Sequence, residues 1–382
     1  MFNTYLLYVS SFLVTAFLLS RMPLELRYSG NNSIKKKIRC LFYLVFASFF
    51  PLFLSSVRYG IGIDYSTYRL IFEKFQHASF GDYWSSSVGY EFGNFLLIKI
   101  GYALFGNTEG VFAVYAFFTI VLLVSAVNYY RERVSVGIST LVVFFLFYSG
   151  SYNTVRQHLA IAVVIFAYRY IEKKQLVKYL VFIAIATSFH STAIIMVFAY
   201  YLNMYSVEKD NDKSVSNKFL SMDTFIGKIL IAAIIISPVI MGGLLNYVSM
   251  IPIFSRYFSS YDAASYDITT SLILKLPVYI PLLLAYKVNV RRNNINMFYY
   301  IMLLLEFELL LTSTIFKWGF RLSYYAIFAQ AILVGVTVKN TANRASKIIL
   351  STYFIGWFAL QFWVLNFVMG RDAIWPYVSI FG

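Results

Sequence analysis

The sequence contains almost none of the residues that build disulfide frameworks and metal centres. Cys40 is its one cysteine, and it has three histidines. A single cysteine excludes an internal disulfide and a cysteine metal cluster. His77 and His158 stand at no spacing typical of zinc ligands, so we predict no zinc site.

Charge is also scarce. Only 13% of the 382 residues are charged, whereas 60% are hydrophobic, and soluble domains are usually nearer a quarter charged. Apolar runs close to the roughly 20 residues that cross a hydrocarbon core recur along the whole chain. They lie at 2–20, 38–57, 110–129, 270–286, 297–315, 320–338 and 348–366. The sequence therefore predicts an all-α, polytopic integral membrane protein.

The apolar runs leave no room for a soluble domain. We predict a single transmembrane domain over 1–382 with about 11–13 transmembrane or re-entrant helices. The first run has no basic leader and no small-residue cleavage site, and a second span follows it closely. We therefore interpret it as a retained helix rather than a signal peptide.

Basic residues are distributed unevenly along the chain. A net charge of +15 in a soluble protein would favour nucleic acid, but about 22 of the 32 Lys and Arg residues fall in loops that the positive-inside rule assigns to the cytoplasm. These loops are 21–39, 130–135, 169–178, 205–228, 287–292 and 339–347. Both termini are then extracytoplasmic, and no nucleic-acid partner is expected. The short outer loops are predicted near 58–89, 149–156, 244–269 and 367–382.

Two stretches do not fit simple crossings. The run at 90–105 contains Lys99, Gly93 and Gly101 and is followed directly by Gly106, which favours a short or re-entrant helix on the outer side. The run at 178–205 must return to the side it left, which predicts a break near Ser188, Phe189, His190 and Ser191. Non-helical backbone at membrane depth is tolerated only where protein or a water-filled cavity surrounds it. Both stretches are therefore predicted to line one cavity.

Several basic side chains are predicted to converge on that cavity from separate helix ends. Guanidinium groups in a low-dielectric pocket favour a multiply charged anion such as a phosphate. The alternative is that each arginine extends to lipid headgroups. The candidate contacts are Arg58, Arg156, Gln157, His190, Arg256, Lys317 and Arg321. Tyr65 is one of several nearby tyrosines that can stack on sugars, although most aromatic residues here are expected to pack helices or lie at the interface.

Four stretches carry a resemblance to a known family. They are RYGIGIDYSTYRLIF from residue 58, YNTVRQHLA from residue 152 with TSFHSTA downstream, FKWGFRLSYY from residue 316 and IWPYVSIF from residue 374. In this order they resemble the EpsG-like branch of the Wzy-type O-antigen and exopolysaccharide polymerases. The family pattern carries over to Arg58, Gly62, Asp64, Tyr65, Arg156, Gln157, His190, Pro376 and Tyr377. Ile63 is a departure, because relatives often have a small polar residue there.

The resemblance implies a GT-C-like membrane glycosyltransferase of lipopolysaccharide and polysaccharide biosynthesis. Such enzymes join undecaprenyl-pyrophosphate-linked oligosaccharide repeat units, as donor and acceptor, at the outer face of the bacterial cytoplasmic (inner) membrane. A separate membrane protein that regulates chain length is expected as a partner, together with the lipid bilayer itself. The donor already carries a good leaving group, so the protein chiefly has to stabilise negative charge as the glycosidic bond breaks.

The predicted catalytic residues are Asp64, Glu91 and Arg156. A carboxylate is needed to take the proton of the acceptor hydroxyl, and Asp64 is the first choice for this base, with Glu91 second. The alternative for Asp64 is a helix cap before Tyr65. His190 is a base, a pyrophosphate donor, or a hydrogen-bonded residue that closes the predicted helix break.

No cofactor is expected, and the enzyme is predicted to be metal-independent. The one D-x-D pattern, Asp210 to Asp212, lies in a polar loop that the charge pattern assigns to the cytoplasmic side. Glu306 and Glu308 lie inside an apolar run and point about 200° apart on a helix, so they cannot form one dyad. One is expected to face the cavity or an arginine such as Arg321, and the other to find a separate partner.

Three other functions stay open at this point. A transporter or flippase of lipid-linked sugars shares the length and helix count, but it would more often show two related halves. A membrane O-acyltransferase with His190 as its base leaves the outer arginines without a role. An O-antigen ligase uses the same donor, but it would need a larger late outer loop than 244–269.

Overall fold

The computed structural model confirms the all-α class. It describes residues 1–23, 26, 34–86, 91–204, 268–293, 297–313 and 319–382. In these ranges the regular elements are helices, and the pairing of Arg58 with Ser379 is an isolated β-bridge. The chain forms two compact units, Met1–Tyr200 with Ala331–Gly382, and Tyr201–Gln330.

The first unit contains most of the described helices. In chain order they are α1 (Phe2–Ser20), α2 (Ile34–Ala47), α3 (Phe49–Val57), α4 (Tyr65–Phe75), α5 (Phe80–Trp84), α6 (Phe92–Phe105), α7 (Thr108–Tyr129), α8 (Val136–Phe147), α9 (Gly150–Asn153), α10 (Val155–Glu172), α11 (Leu176–Phe189) and, after a 3₁₀ helix at Ser191–Phe198, α12 (Ala199–Met204). Helix α12 begins at the end of this unit.

Helix α7 is the centre of the first unit. Its most apolar window is 72% buried, and it packs against α3, α6 and α10. The preceding Gly106 ends α6 in the left-handed conformation, at φ 73°, which glycine adopts without strain. Asn107 then caps α7 by accepting a hydrogen bond from the Gly110 N–H. A glycine stop followed by an asparagine cap explains why the chain turns sharply between these two apolar helices.

Three described helices are long and apolar enough to cross a membrane. They are α1, α7 and α18 (Arg344–Trp363), which continues as a π-helical turn to Val368. The apolar windows of α1 and α18 are only 33% and 22% buried, as expected for helices that expose apolar side chains to lipid. The protein is therefore a polytopic membrane protein, whereas the predicted total of 11–13 helices that cross or re-enter stays a prediction.

Several of the predicted runs are shorter or bent. The run at 38–57 becomes α2 and α3, which meet at a bend of 62° beside Ser48, and count as a fourth span if they cross together. The run at 90–105 is the 14-residue helix α6, which confirms a short helix there. Lys99 in α6 donates to the carbonyls of Gln76 and Ala78 over 2.7 and 2.8 Å. Its charge is therefore satisfied by backbone oxygens.

The second unit is built from apolar helices in the second half of the sequence. They are α13 (Ile268–Leu284), α14 (Tyr286–Asn293), α15 (Phe298–Thr312) and α16 (Gly319–Ser323), and α17 (Phe328–Asn340) begins in this unit. The sequence predicted one continuous run over 320–338, but α16 ends at Ser323 and α17 starts at Phe328. That expectation was wrong because hydrophobicity alone does not register a turn between apolar helices.

Candidate functional site

The carboxylate of Glu91 binds two predicted site residues. Arg156 Nη1 donates to Glu91 Oε2 over 2.5 Å, and His190 Nδ1 lies 2.9 Å from Oε1. The Ser191 N–H donates to the same Oε1 over 3.0 Å. Because a carboxylate only accepts, His190 Nδ1 carries a hydrogen in this contact. We call Glu91, Arg156 and His190 the Glu91 cluster; its members come from positions 65 and 99 residues apart.

The break after α11 places two of these donors. His190 is extended, at φ −154° and ψ 122°, between the end of α11 and the 3₁₀ helix that follows. This confirms the predicted break near 188–191. The interruption turns the His190 side chain and the Ser191 N–H toward Glu91, where an unbroken helix would have used that N–H internally. Of the three roles considered for His190, the geometry supports the hydrogen-bonded residue at the break.

Helix α6 approaches the break closely because of Gly93 and Asn94. A Cβ at Gly93 would come within 2.4 Å of Ser188 Oγ, so a larger residue would force the two helices apart. Asn94 Nδ2 donates to Phe189 O over 2.9 Å and to Glu91 Oε2 over 3.3 Å. Glu91, the residue before α6, is thereby fixed against the end of α11.

Burial and charge are uneven across the Glu91 cluster. The side chain of Glu91 is 3% exposed, whereas those of Arg156 and His190 are 17% and 20% exposed. Burial alone would raise the pKa of Glu91, but the hydrogen bond from His190 and the charge of Arg156 outweigh it and hold the pKa below its ordinary value. Glu91 is therefore ionised at neutral pH. It holds Arg156 and His190 at the partly exposed edge of the cluster, which we call its rim.

Arg156 has hydrogen-bonding capacity to spare. It lies in the first turn of α10, which begins at Val155. Its Nε is buried and donates to none of the residues that the structure describes. Since an unpaired buried donor costs free energy, this guanidinium is suited to an additional acceptor.

Asp64 lies at the N-terminus of α4 without capping it. Helix α4 starts at Tyr65, as predicted, but the Asp64 side chain accepts no hydrogen bond from the helix. The alternative of a side-chain cap is therefore wrong; the Asp64 carbonyl instead accepts from the Tyr68 N–H over 2.9 Å. The carboxylate is half-buried and has no hydrogen bond within the described part of the chain. It remains available to a ligand.

Tyr68 connects Asp64 with the Glu91 cluster. The Arg156 guanidinium lies 5.8 Å from the centre of the Tyr68 ring. Burial is the main reason why the pKa of the Tyr68 phenol is raised, and its hydroxyl interacts with both the Arg156 charge and the Asp64 charge. Since Tyr68 stands one turn after Asp64 and its N–H donates to the Asp64 carbonyl over 2.9 Å, the first turn of α4 lies beside Arg156.

Arg58 is more deeply buried than Arg156 and His190. It is 3% exposed, and its guanidinium lies 4.0 Å from the Tyr152 ring centre and 5.2 Å from that of Phe112. Its Nη2 donates weakly to Tyr152 O over 3.5 Å, and its buried Nε has no hydrogen-bond partner among the residues placed by the structure. Stacking between aromatic rings stabilises this cation in a largely apolar site.

The sequence matches the EpsG family over residues 41–379. The chain belongs to the EpsG family. Searches of curated proteins and of solved structures found no significant match. The family and the helices together make this a membrane protein with a polymerase-like, glycosyltransferase-type role in polysaccharide biosynthesis.

The first and the terminal family motifs meet in the first unit of this EpsG protein. The first motif pairs with the terminal one through the Arg58–Ser379 bridge and through the Tyr59 N–H, which donates to Val378 O over 3.0 Å. Tyr377 Oη donates to Leu54 O over 2.9 Å. Motifs at opposite ends of the sequence therefore form one neighbourhood around the loop that follows α3.

The remaining candidates are spread more widely. Gln157 is buried in α10, and Tyr65 stacks on Phe112 with ring centres 4.8 Å apart. Arg321 lies half-buried in α16 of the second unit. Arg256 and Lys317 lie outside the described residues. Whether any of these contacts a substrate stays a prediction.

Glu306 pairs with a lysine rather than an arginine. It is fully buried in the second unit, forms an ion pair with Lys275, and accepts from Gln330 Nε2 at both oxygens over 2.8 Å. Glu306 is therefore the acid with the separate partner, because α13 places Lys275 beside α15, and an arginine or the cavity as the neighbour of Glu308 stays a prediction. We call Lys275, Glu306 and Gln330 the Glu306 cluster.

Sequence reasoning missed several supporting residues. Asn94 stands three positions after Glu91, in EFGN, a helical spacing that indicates a shared face. Asn153 and Asp372, described below, lie 219 residues apart. No local pattern joins residues at that separation.

Proposed function

We propose that this EpsG protein is a surface-polysaccharide polymerase acting on the outer face of the bacterial cytoplasmic membrane. It joins oligosaccharide repeat units carried on undecaprenyl pyrophosphate. The observation that carries the proposal is the Glu91 cluster: a buried carboxylate holds an arginine and a histidine at a partly exposed rim, and the arginine has an unpaired buried donor. This arrangement suits a pyrophosphate group.

The reaction is a glycosyl transfer. The acceptor hydroxyl oxygen bonds to the anomeric carbon of the donor sugar, and the bond from that carbon to the pyrophosphate oxygen breaks with both electrons leaving on the pyrophosphate. Arg156 stabilises the charge that develops on this leaving group, and His190 donates to it when protonated. The hydroxyl proton moves to a carboxylate.

Asp64 is the better candidate for that base. Glu91 already accepts from Arg156, His190 and the Ser191 N–H, and its lowered pKa makes it a weaker proton acceptor. The Asp64 carboxylate makes no hydrogen bond to the described residues, and Asp64 stands one turn before Tyr68, whose ring lies beside Arg156. We therefore assign proton transfer to Asp64 and the positioning of Arg156 to Glu91.

Arg58 serves this site indirectly in our proposal. Its burial between Tyr152 and Phe112 favours a brace for the loop that carries Asp64 over direct contact with pyrophosphate. The enzyme works without a metal, since the Arg156 guanidinium supplies positive charge at the leaving group. Both termini lie on the outer side with this site.

Surface polysaccharide from cells lacking the gene tests the function. With a polymerase missing, repeat units are still made and exported, so the polymer ladder on a gel collapses to a band of one repeat and a plasmid copy restores it. Loss of all polysaccharide, or an undecorated lipid core alone, would instead identify an exporter or a ligase and reject the proposal.

The role of Asp64 is tested with Asp64→Asn. This variant keeps the size of the side chain but removes the proton acceptor, so we expect the ladder to fall by about 100-fold per unit of membrane-bound protein. Asp82→Asn is the matched control, because Asp82 is an exposed acid that caps α5 in the same outer segment. A full ladder from Asp64→Asn would remove Asp64 from the mechanism.

A further inference from the structure

A buried pair of polar side chains links the middle of the chain to its C-terminal segment. Asn153 Nδ2 donates to Asp372 Oδ1 over 2.8 Å, and both residues are 8% exposed. Burying a carboxylate and an amide is costly unless they are paired. The amide oxygen of Asn153 binds a second group, and that contact shows which part of the structure the pair stabilises.

The other end of the Asn153 amide holds the loop before α4. Asn153 Oδ1 accepts from the Ile63 N–H over 2.6 Å. Since this N–H requires an acceptor, the oxygen of the amide faces Ile63 and its NH₂ group faces Asp372. Ile63 directly precedes Asp64, so Asp372, Asn153 and Ile63 form a line of hydrogen bonds that ends at the residue before the candidate base.

The same loop is held a second time from the C-terminal segment. The Gly62 N–H donates to Ala373 O over 3.3 Å. Gly62 has φ +105°, and a Cβ there would lie 2.7 Å from Tyr152 O, so only glycine fits. Ala373 itself adopts φ +48°, a conformation uncommon outside glycine. The backbone on both sides of this contact thus takes conformations that the surrounding structure must enforce.

We propose that Asn153 and Asp372 are positioning residues for Asp64. The Asp372 carboxylate orients the Asn153 amide, and this amide fixes the Ile63 peptide and hence the direction of the Asp64 side chain. The inference rests on the proposed role of Asp64 as the base. It makes the segment around Asp372 part of the active-site support, although it lies more than 300 residues from Asp64 in the sequence.

A charge swap tests the proposal with the whole protein. In Asn153→Asp alone, two carboxylates face each other where an amide met a carboxylate, and their repulsion disturbs the loop. In the double variant N153D/D372N, the carboxylate at position 153 accepts both from the Ile63 N–H and from the new amide at position 372. We expect the polymer ladder, per unit of membrane-bound protein, to fall at least about tenfold in N153D and to return in the double variant.

Asp372→Asn alone is the intermediate case. Its amide oxygen still accepts from Asn153 Nδ2, so one neutral hydrogen bond replaces a charged one, and about half of the ladder intensity is expected to remain. If N153D keeps a full ladder, or if N153D/D372N stays as low as N153D at equal protein levels, the positioning role is rejected.

A second readout does not depend on catalysis. In a Cys40→Ser background, the variant Asp64→Cys is labelled with a charged maleimide in purified, detergent-solubilised protein. Adding N153D should raise the labelling rate about tenfold by releasing the loop, and adding N153D/D372N should return it to the starting rate. Ser85→Cys, exposed beyond α5, is the control whose rate should not respond.

The two readouts separate failure of the inference from failure of the proposed function. Labelling that follows the swap, with a full ladder in Asp64→Asn, keeps the positioning network and removes Asp64 as the base. If the labelling rate at position 64 is the same with and without N153D, the positioning role is rejected, whatever the ladder shows.

Discussion

Glu91 and Glu306 are both buried carboxylates paired with a cation, but their surroundings differ. Glu306 is fully buried, its partner Lys275 is 9% exposed by side chain, and both lie within regular helices, α15 and α13. Glu91 is buried at the start of a helix, while Arg156 and His190 remain 17% and 20% exposed at a helix start and a helix break.

This contrast separates a structural ion pair from a candidate binding site. Paired charges inside a membrane protein are expensive and need a reason to be there. In the Glu306 cluster the amide of Gln330 completes the carboxylate's hydrogen bonds. In the Glu91 cluster the carboxylate is equally well satisfied, yet its guanidinium partner keeps an unpaired donor. Our proposed function therefore assigns the contact with substrate to the partly exposed Arg156 rather than to the buried Glu91.

The largest expected effect comes from removing that cation. Arg156→Ala should reduce the polymer ladder by at least about 100-fold per unit of membrane-bound protein, because a main donor to the leaving group is lost. Arg133→Ala is the matched control, since Arg133 also forms an ion pair, over 2.7 Å, with Glu172. A ladder of normal intensity from Arg156→Ala would place substrate binding elsewhere.

Breaking the Glu306 cluster should affect stability instead of chemistry. Glu306→Gln leaves the buried Lys275 without its counter-charge, at a cost of about 3–5 kcal/mol, so the amount of protein in the membrane should fall several-fold. The double variant Lys275→Met/Glu306→Met removes both charges and should restore the amount. Quantitative immunoblotting of membranes, with the ladder measured beside it, gives both values.

The outcome for Glu306 can also contradict the comparison. Normal abundance of Glu306→Gln together with a lost ladder would make the second cluster part of the reaction. Both buried acids would then serve the reaction, and the Glu306 cluster would not be a purely structural ion pair.

The smallest expected effect is the response of the Glu91 cluster to acid. Because the folded protein lowers the pKa of Glu91, its ion pairs stabilise the fold at every pH above the ordinary carboxyl value of about 4.3 and are lost as the pH falls through the lower folded value. Thermal unfolding in detergent should therefore show no contribution from Glu91 to pH dependence between about pH 5 and 8. Below about pH 4, wild type should lose more stability than Glu91→Gln. Equal acid losses in the two proteins would show that Glu91 carries no such stabilisation.

The sequence predicted the features of the fold that follow from local chemistry. Hydropathy located α1 and α7, and the polar residues at 188–191 located the helix break. The bend beside Ser48 and the turn between α16 and α17 were missed. Both occur inside apolar stretches, where the side chains that set the bend are not distinguished from those that pack a straight helix.

The site was only partly predictable for a related reason. Polar and charged residues are easily recognised in a mostly apolar sequence, so the sequence identifies Glu91, Arg156, His190 and Asp64 as candidates. Their partners depend on which helix ends meet, and the pairs Glu91–Arg156 and Asn153–Asp372 join residues 65 and 219 positions apart. A charged side chain inside a membrane protein requires a partner, but which residue becomes that partner depends on how the helices pack.

Binding of the carrier lipid to purified protein shows whether Arg156 contacts the pyrophosphate. Undecaprenyl pyrophosphate is titrated into wild type, Arg156→Ala and Arg156→Lys in detergent, with undecaprenol as the ligand that lacks phosphate. We expect Arg156→Ala to bind the pyrophosphate at least about tenfold more weakly than wild type, Arg156→Lys to lie between them, and undecaprenol to show no difference among the three proteins. Equal affinity of wild type and Arg156→Ala for undecaprenyl pyrophosphate would show that Arg156 does not bind this group.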